Sequence, residues 1–438
     1  LAEVLHDAGL DIRGSDMSES DNTLTLRERG IPIHIGHSAA NVTDDIEFVI
    51  RTAAVHDDNP EVHEAHRRGI PVFERTQAWG ALMRGYPNAL CISGTHGKTT
   101  TTSMCTHIMM AAEKDPTVMI GGTLPLLHAC HRVGKGNTII MESCEYYNSF
   151  LSLNPTIAVI LNIEADHLDF FKDIEDIKHS FRQFAERVPA ETGTVIANCD
   201  DVNTMDALRG IERKVITFGL SPKADVYAEN IMHRGSSSEF DIYHRGNLFA
   251  HVTLHVPGIH NVRNALAATA AAIVLGVSPN AVKYGLAGFE GAGRRFDYKG
   301  KFQGADLYDD YAHHPSELRA LLDAVDTLDY QRTIVVFQPH TYSRTAKLFN
   351  DFVEQLRRPT IVYLAEIYAA REKNTIGISS ADLAAQIPGA KFYPTFAEIE
   401  AELRRESDYL FTLQVRDYLV KKADLKMPAA FLKRWLYT

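Results

Sequence analysis

Residues 91–112 read CISGTHGKTTTTSMCTHIMMAA, and this stretch constrains the fold more than any other. It is a short apolar run, a turn holding Gly94, Gly97, Lys98 and Thr99, and then a segment whose Met104, Ile108 and Ala112 recur on one helical face. Glycines let successive backbone N–H groups converge on a phosphate. The helix N-terminus adds positive dipole, Lys98 a full charge, and the Thr99 hydroxyl a magnesium ligand. The commoner phosphate-loop spacing would place another glycine at position 92, which is Ile92, so the loop is a shortened variant. A plain strand-to-helix turn would have no use for a lysine followed by threonine from 99 through 102, since threonine is a mediocre helix former. The stretch predicts a nucleoside-triphosphate site.

A chain of 438 residues has room for about three domains of roughly 150 residues, and 45% hydrophobic content can build a core in each. Lys and Arg number 45 against 56 Asp and Glu, a net charge of −11 without a basic block, so no nucleic-acid partner is expected. Cys91, Cys105, Cys130, Cys144 and Cys199 are odd in number and form no CxxC pair, which points to reduced thiols and a cytoplasmic location. The longest apolar run, 265–275, falls far short of the roughly 20 residues needed to span a bilayer, and no membrane partner is expected.

Leu1, Val4, Leu5 and Ala8 share a helical face closed by Gly9, and the segment 10–16 then ends on Asp16. A helix entering a strand with a terminal acid is the second half of a Rossmann-like βαβ unit, whose first strand and Gly-rich loop should lie upstream. The chain therefore reads as lacking its natural beginning. Two echoes, Arg29-Gly30-Ile31-Pro32 and Arg68-Gly69-Ile70-Pro71, each turn a helix end into a strand, implying a small parallel α/β domain over 1–85. His34, His37, His56, His63 and His66 lack the tight spacing of a metal site and read as surface histidines.

Beyond the loop, the apolar run 138–141 delivers Glu142 at its end. The run 156–161 delivers Asn162, with Glu164, Asp166, His167 and Asp169 beyond. Ligands of parallel sheets sit at strand carboxyl ends, so these groups should face the phosphate loop and make a magnesium environment. From 225 to 256 the pattern turns to short alternating strands with Arg245-Gly246-Asn247 as a hairpin turn, an antiparallel appendage to a mostly parallel sheet. His260, Asn261 and Asn264 open an alanine-rich helix, either as caps or as groups that read a purine edge. Gly291-Ala292-Gly293-Arg294-Arg295 reads as a hinge with cationic groups, after which α/β alternation resumes with strands at 307–309, 334–337 and 361–364. A polar cluster follows each of these strands: Asp309 to His314, then His340 with Arg344, then Glu366 with Arg371. Together they predict one crevice in a third domain.

In order along the chain, GTHGKTTT, NIEADHLD, GIHNVRNALAA, GAGRRFD, DDYAHHPSE and FQPHTYSRT resemble the Mur ligase family, in its L-alanine-adding branch. The resemblance implies an α/β protein of three domains: a truncated Rossmann-like domain for a UDP-sugar (1–85), a central phosphate-loop ATPase (86–293) and a Rossmann-like domain for ATP and amino acid (294–438). It implies ATP and Mg²⁺ as cofactors, UDP-N-acetylmuramate and L-alanine as partners, a monomer or weak homodimer, and the cytoplasm of a bacterium. The implied activity is ATP-dependent ligation of L-alanine to the lactyl carboxylate through an acyl phosphate, in peptidoglycan precursor synthesis. By position, Gly94, Thr95, His96, Gly97, Lys98, Thr99 and Thr100 would hold phosphates, and Thr99, Glu142 and His167 the metal. His260, Asn261 and Asn264 would hold adenine, Arg294 the phosphates, and Asp309 the ribose. His313, His314, Arg344 and Arg371 would line the acceptor and amino-acid site, with Asp16 and His37 at the uridine end. Lys98, Glu142, His167, Arg294 and His314 would carry catalysis.

Three departures stand out. Several relatives place a carbamylated lysine about fifteen residues after the DHLD aspartate, where this chain has Phe181, as in the L-alanine branch. The Gly-rich N-terminal loop is missing. The segment from Leu413 reads as unrelated to the family, a divergent or frame-altered tail. A tripeptide-recycling ligase for the same sugar shares most of the motifs. A nucleotide-holding protein without turnover and a simple phosphate-loop kinase are the other readings, and the kinase leaves HNVRN and DDYAHHP without a role.

Overall fold

Asn88–Ser93 becomes the pivot of a ten-stranded sheet because its residues alternate between two buried faces. Leu90 and Ile92 enter one core with the helices Lys98–Ala111, Ile259–Val274 and Pro279–Ala287, while Ala89 and Cys91 enter another with Phe150, Phe181 and Phe184. The computed structural model describes residues 1–52, 55–302, 304–328, 330–370 and 372–405. The chain divides into two units, Leu1–Phe296 and Asp297–Thr438. Arg371 and the tail from Leu413 lie outside the described residues.

In the first unit the strands run, edge to edge, Asn247–Leu254, Ser237–His244, Val226–Arg234, Lys214–Gly219, Thr194–Asn198, Ile157–Ile160, Asn88–Ser93, Thr138–Glu142, Thr117–Leu124 and Ala129–Arg132. The run from Val226–Arg234 to Thr117–Leu124 is parallel. The antiparallel appendage is thus continuous with the main sheet, joined by pairing of Phe218 with Val226, and Arg245-Gly246 makes its turn with φ of 50° and 80°. Asn88–Ser93 pairs with Thr138–Glu142 on one side and Ile157–Ile160 on the other. The chain therefore departs to opposite sides of this strand, which opens a crevice beyond its carboxyl end.

The N-terminal segment forms two separate parallel pairs, Gly14–Asp16 with Ile33–Ile35 and Val49–Arg51 with Val72–Glu74. It shares a core with the main sheet, since Val4, Trp79 and Met83 join the cluster containing Phe150 and Phe181. His34, His56, His63 and His66 are exposed as expected, whereas His37 is half-buried.

In the second unit, Ile334–Phe337, Ile361–Leu364 and Lys391–Phe392 form a parallel sheet over Leu318, Phe352, Leu356 and Leu383. The expected strand ending at Asp309 behaves differently: Ala305–Asp309 folds back antiparallel on Asp297–Phe302 in its own two-stranded sheet. Phe302 pairs directly with Ala305, so the connection is too short for the crossover that a parallel partner requires.

The phosphate-loop helix is wedged tightly. A Cβ on Gly285 would lie 2.5 Å from the Ile108 Cα, so only glycine permits this approach of Pro279–Ala287 to Lys98–Ala111. One residue away, His107 meets Phe289 edge-on at 5.5 Å, and burial pushes its pKa from 6.5 down to about 4. The unfolded chain takes up the proton that the fold refuses, so this contribution is complete above pH 6.5 and is lost as pH falls toward about 4. Melting temperatures across that interval should fall less steeply for His107→Leu than for the native protein. Parallel curves would remove His107 from the acid response.

Candidate nucleotide and ligase site

The loop after Ser93 is stitched to the neighbouring strand end. Thr95 N–H donates to the Asn162 carbonyl (3.0 Å) and His96 N–H to Asn162 Oδ1 (2.8 Å), while Asn162 Nδ2 returns a bond to the His96 carbonyl (3.1 Å). Glu164 N–H donates to Thr95 Oγ1 at 2.9 Å. Gly97 begins the helix with φ 84°, a left-handed conformation natural to glycine. A Cβ there would stand 2.6 Å from Asn264 Oδ1. Asn264 in turn donates to Asn261 Oδ1 (3.3 Å), whose Nδ2 donates to the Pro257 carbonyl (2.7 Å). Both asparagines are buried and buttress the phosphate loop from below, with His260 beside them on the same helix. Lys98, Thr99 and Thr100 form the first turn, whose N–H groups have no acceptor within the helix.

The Lys98 ammonium is enclosed, its side chain 14% exposed. It donates to the Gly94 carbonyl (2.5 Å), the Thr95 carbonyl (3.1 Å) and both oxygens of Glu145 (3.0 and 3.3 Å). Burial pulls its pKa down, but the charge of Glu145, its hydrogen bond and nearby Glu142 outweigh this and leave it above the ordinary lysine value. Thr99 Oγ1 donates to Glu142 Oε1 at 3.0 Å, and Gly121 N–H holds the other Glu142 oxygen at 2.6 Å. His167, itself at φ 51°, stacks on Tyr146 at 4.3 Å, with Nε2 3.9 Å from Glu145 Oε1. The Tyr146 hydroxyl donates to Asp169 at 2.5 Å.

Lys98, Glu142 and His167 therefore share one neighbourhood, as their strand ends implied. Glu145, which links Lys98 to His167, was not among the expected residues. Its signal was a second acid three residues after Glu142, just past the strand end. The Arg294 hinge packs on the edge of this site: Gly293 N–H donates to the Thr123 carbonyl (2.9 Å), and the Gly293 carbonyl and the Thr99 methyl both lie near Gly122.

Asp16 and His37 lie at and just past the ends of adjacent parallel strands, with Asp16 paired to Ile35 and its carboxylate accepting from the Ser18 N–H. The Ser15 hydroxyl lies 3.2 Å from His37 Nδ1 and donates to Glu61 at 2.5 Å. Asn41 donates to the other Glu61 oxygen at 2.6 Å. Burial raises the Glu61 pKa, but hydrogen bonds from Ser15, Asn41, His37 and Ser38 overcome it and hold the carboxyl below its usual range.

In the second unit the rings of Tyr311, His313, His340 and Tyr368 form a chain with centroids 5.3, 5.8 and 5.5 Å apart. The Arg344 guanidinium lies 3.1 Å from His340 Nδ1. His314 is buried as the N-cap of Pro315–Asp326, accepting from the Ser316 N–H. Asp309 ends the separate hairpin, paired with Asp297.

A phosphate loop at the switch point of a parallel sheet, facing clustered acids, defines a nucleotide-binding α/β protein. The chain matches the Mur ligase family catalytic domain over residues 1–87, the Mur ligase middle domain over 92–272 and the Mur ligase glutamate ligase domain over 294–411. It belongs to the Mur ligase family. UDP-N-acetylmuramate–L-alanine ligases of Agathobacter rectalis and Lachnospira eligens are 46% and 44% identical to it, spanning 94% and 97% of this chain and 92% and 94% of theirs. The crystal structure of a UDP-N-acetylmuramate-alanine ligase of Thermotoga maritima has a TM-score of 0.74 at 30% identity, covering 91% of this chain and 89% of that one.

Gly97→Ala forces a left-handed alanine, worth about 1–2 kcal/mol, onto Asn264. Nucleotide affinity should fall at least about tenfold, since 1.4 kcal/mol is one decade. Titration calorimetry would show it, and undiminished affinity would place the phosphates elsewhere.

Proposed function

We propose that this protein joins L-alanine to the lactyl carboxylate of UDP-N-acetylmuramate at the expense of ATP, releasing ADP and phosphate. The observation that carries the reading is the enclosed Lys98 beside Thr99, Glu142 and His167, in a chain 46% identical to a ligase of that name along 94% of its length. In the first step a carboxylate oxygen of the sugar takes the γ-phosphoryl group and ADP leaves. In the second the L-alanine amine attacks the acyl carbon, phosphate leaves and the nitrogen gives up a proton.

Two anions meet in the first step, so the reaction needs fixed positive charge more than a protein nucleophile. Lys98 and the N–H groups of Gly97 to Thr100 bind and orient phosphate oxygens, with Thr95, His96 and Gly94 shaping the loop. Arg294 adds a second cation from the hinge. The Thr99 hydroxyl and Glu142 carboxylate, 3.0 Å apart, supply the oxygen ligands that Mg²⁺ prefers, and the His167 imidazole, 3.9 Å from Glu145, is assigned to the same ion. When bound, that ion would neutralise charge developing on the transferred group.

His260, Asn261 and Asn264 are proposed for the adenine and Asp309 for the ribose. Asp16 and His37 are assigned to the uridine end. His313, His314, Arg344 and Arg371 are assigned to acceptor and amino acid. The division into domains at 1–85, 86–293 and 294–438 belongs to the same proposal, supported by the spans of the family matches. So do a monomeric or weakly dimeric state and a cytoplasmic location, the latter supported by five free cysteines.

Phosphate release should require UDP-N-acetylmuramate and L-alanine together. A requirement for a tripeptide in place of L-alanine would assign the recycling activity instead, and nucleotide binding without substrate-dependent turnover would remove the ligase reading. Glu142→Gln should lower kcat about 10²- to 10³-fold, the usual loss when one charge-stabilising group is removed.

A further inference from the structure

Within the phosphate loop the one lysine is already committed. The Lys98 side chain is 14% exposed and that of Glu145 only 3%, and they meet at 3.0 and 3.3 Å. The remaining donors of the ammonium reach the Gly94 and Thr95 carbonyls. A pair of opposite charges at this separation carries no net charge. The phosphate-binding loop therefore offers an arriving polyanion backbone N–H groups and a helix dipole, while the carboxylates of Glu142, of Glu164 beside His96 and of Asp166 beside His167 flank it. Glu145 also sits 3.9 Å from His167 Nε2, so the same carboxylate touches the lysine on one side and a proposed metal ligand on the other.

We propose that Glu145 is a positioning residue that holds the Lys98 ammonium in reserve, so that the loop binds nucleotide phosphates tightly only when a divalent cation arrives with them. A cation seated by Thr99, Glu142 and His167 attracts the Glu145 carboxylate from the His167 side and offsets the surrounding acids. The ammonium then exchanges Glu145 for phosphate oxygen. By linkage, the factor by which cation strengthens nucleotide binding equals the factor by which nucleotide strengthens cation binding, and Glu145 sets part of that factor. This inference rests on the nucleotide-site reading above.

Glu145→Gln keeps the shape and one hydrogen-bond acceptor but removes the charge. The measurement is ATP affinity by calorimetry in Mg²⁺ and in EDTA, for native and variant protein, with melting curves to certify folding. Because Mg²⁺ binds free ATP identically in both titrations, the change in the Mg²⁺/EDTA ratio belongs to the protein. The native protein should bind ATP at least about tenfold more weakly in EDTA, and Glu145→Gln should recover about tenfold of that loss. An unchanged ratio in folded Glu145→Gln overturns the proposal and leaves the nucleotide site standing. Equal native affinities in Mg²⁺ and EDTA overturn it without any variant. A native protein that binds ATP in neither condition overturns the nucleotide reading as well. Should Glu145→Gln fail to fold, Glu145→Asp carries the test: it keeps the charge but withdraws it by one methylene, so the ratio should move the same way by less, and an unmoved ratio refutes the role.

Discussion

A lysine ammonium taken out of water must find a counter-charge and acceptors for its protons, or it loses its proton. Lys98 finds them in two carbonyls of its own loop and in Glu145, and the rest of the first unit exists to make that possible. The loop closes under the ammonium because Gly97 turns left-handed. It is held in place because Asn162, at the end of the adjoining parallel strand, donates to and accepts from its backbone. Both conditions follow from one strand, Asn88–Ser93, being flanked by partners that end in polar groups.

The two faces of the sheet pack the surroundings of the loop in different ways. On the face carrying the loop helix, the alanines of Ile259–Val274 are buried, and Gly285 admits backbone contact with Ile108. On the other face, Phe150 stacks on Phe184 at 4.6 Å and meets Phe181 edge-on at 5.2 Å. Phe181 is fully buried in this aromatic packing.

Much of this was legible in the chain because strand ends in a parallel sheet converge whatever their order. Glu142 and Asn162 could be placed by counting along apolar runs, and Gly97 with Lys98 by the motif. The buttress of Asn261 and Asn264 under the loop was not, because it depends on how close two helices approach. Glu145 was missed for a different reason: Tyr146–Ser152 has no regular periodicity, and its kink at Tyr147 and Asn148 sets where side chains point. The strand at 307–309 is legible but its antiparallel pairing with Asp297–Phe302 is not, since an apolar run carries its own conformation but not its partner's identity.

The positions of backbone strain complete the picture. Non-glycine residues with left-handed φ cost about 1–2 kcal/mol each, and a fold keeps them only where surrounding contacts impose them. Tyr147, Asn148, His167 and Arg294 are all of this kind, and all lie in segments that border the Lys98 loop. At His167 the compensations are visible: Asp166 accepts its N–H at 2.7 Å, and the ring lies flat on Tyr146, which is itself fastened through its hydroxyl to Asp169. A relaxed backbone at this position would turn the imidazole away from Glu145. The strain thus aims a side chain, and the two cores on either side of the sheet supply the stability that lets it persist.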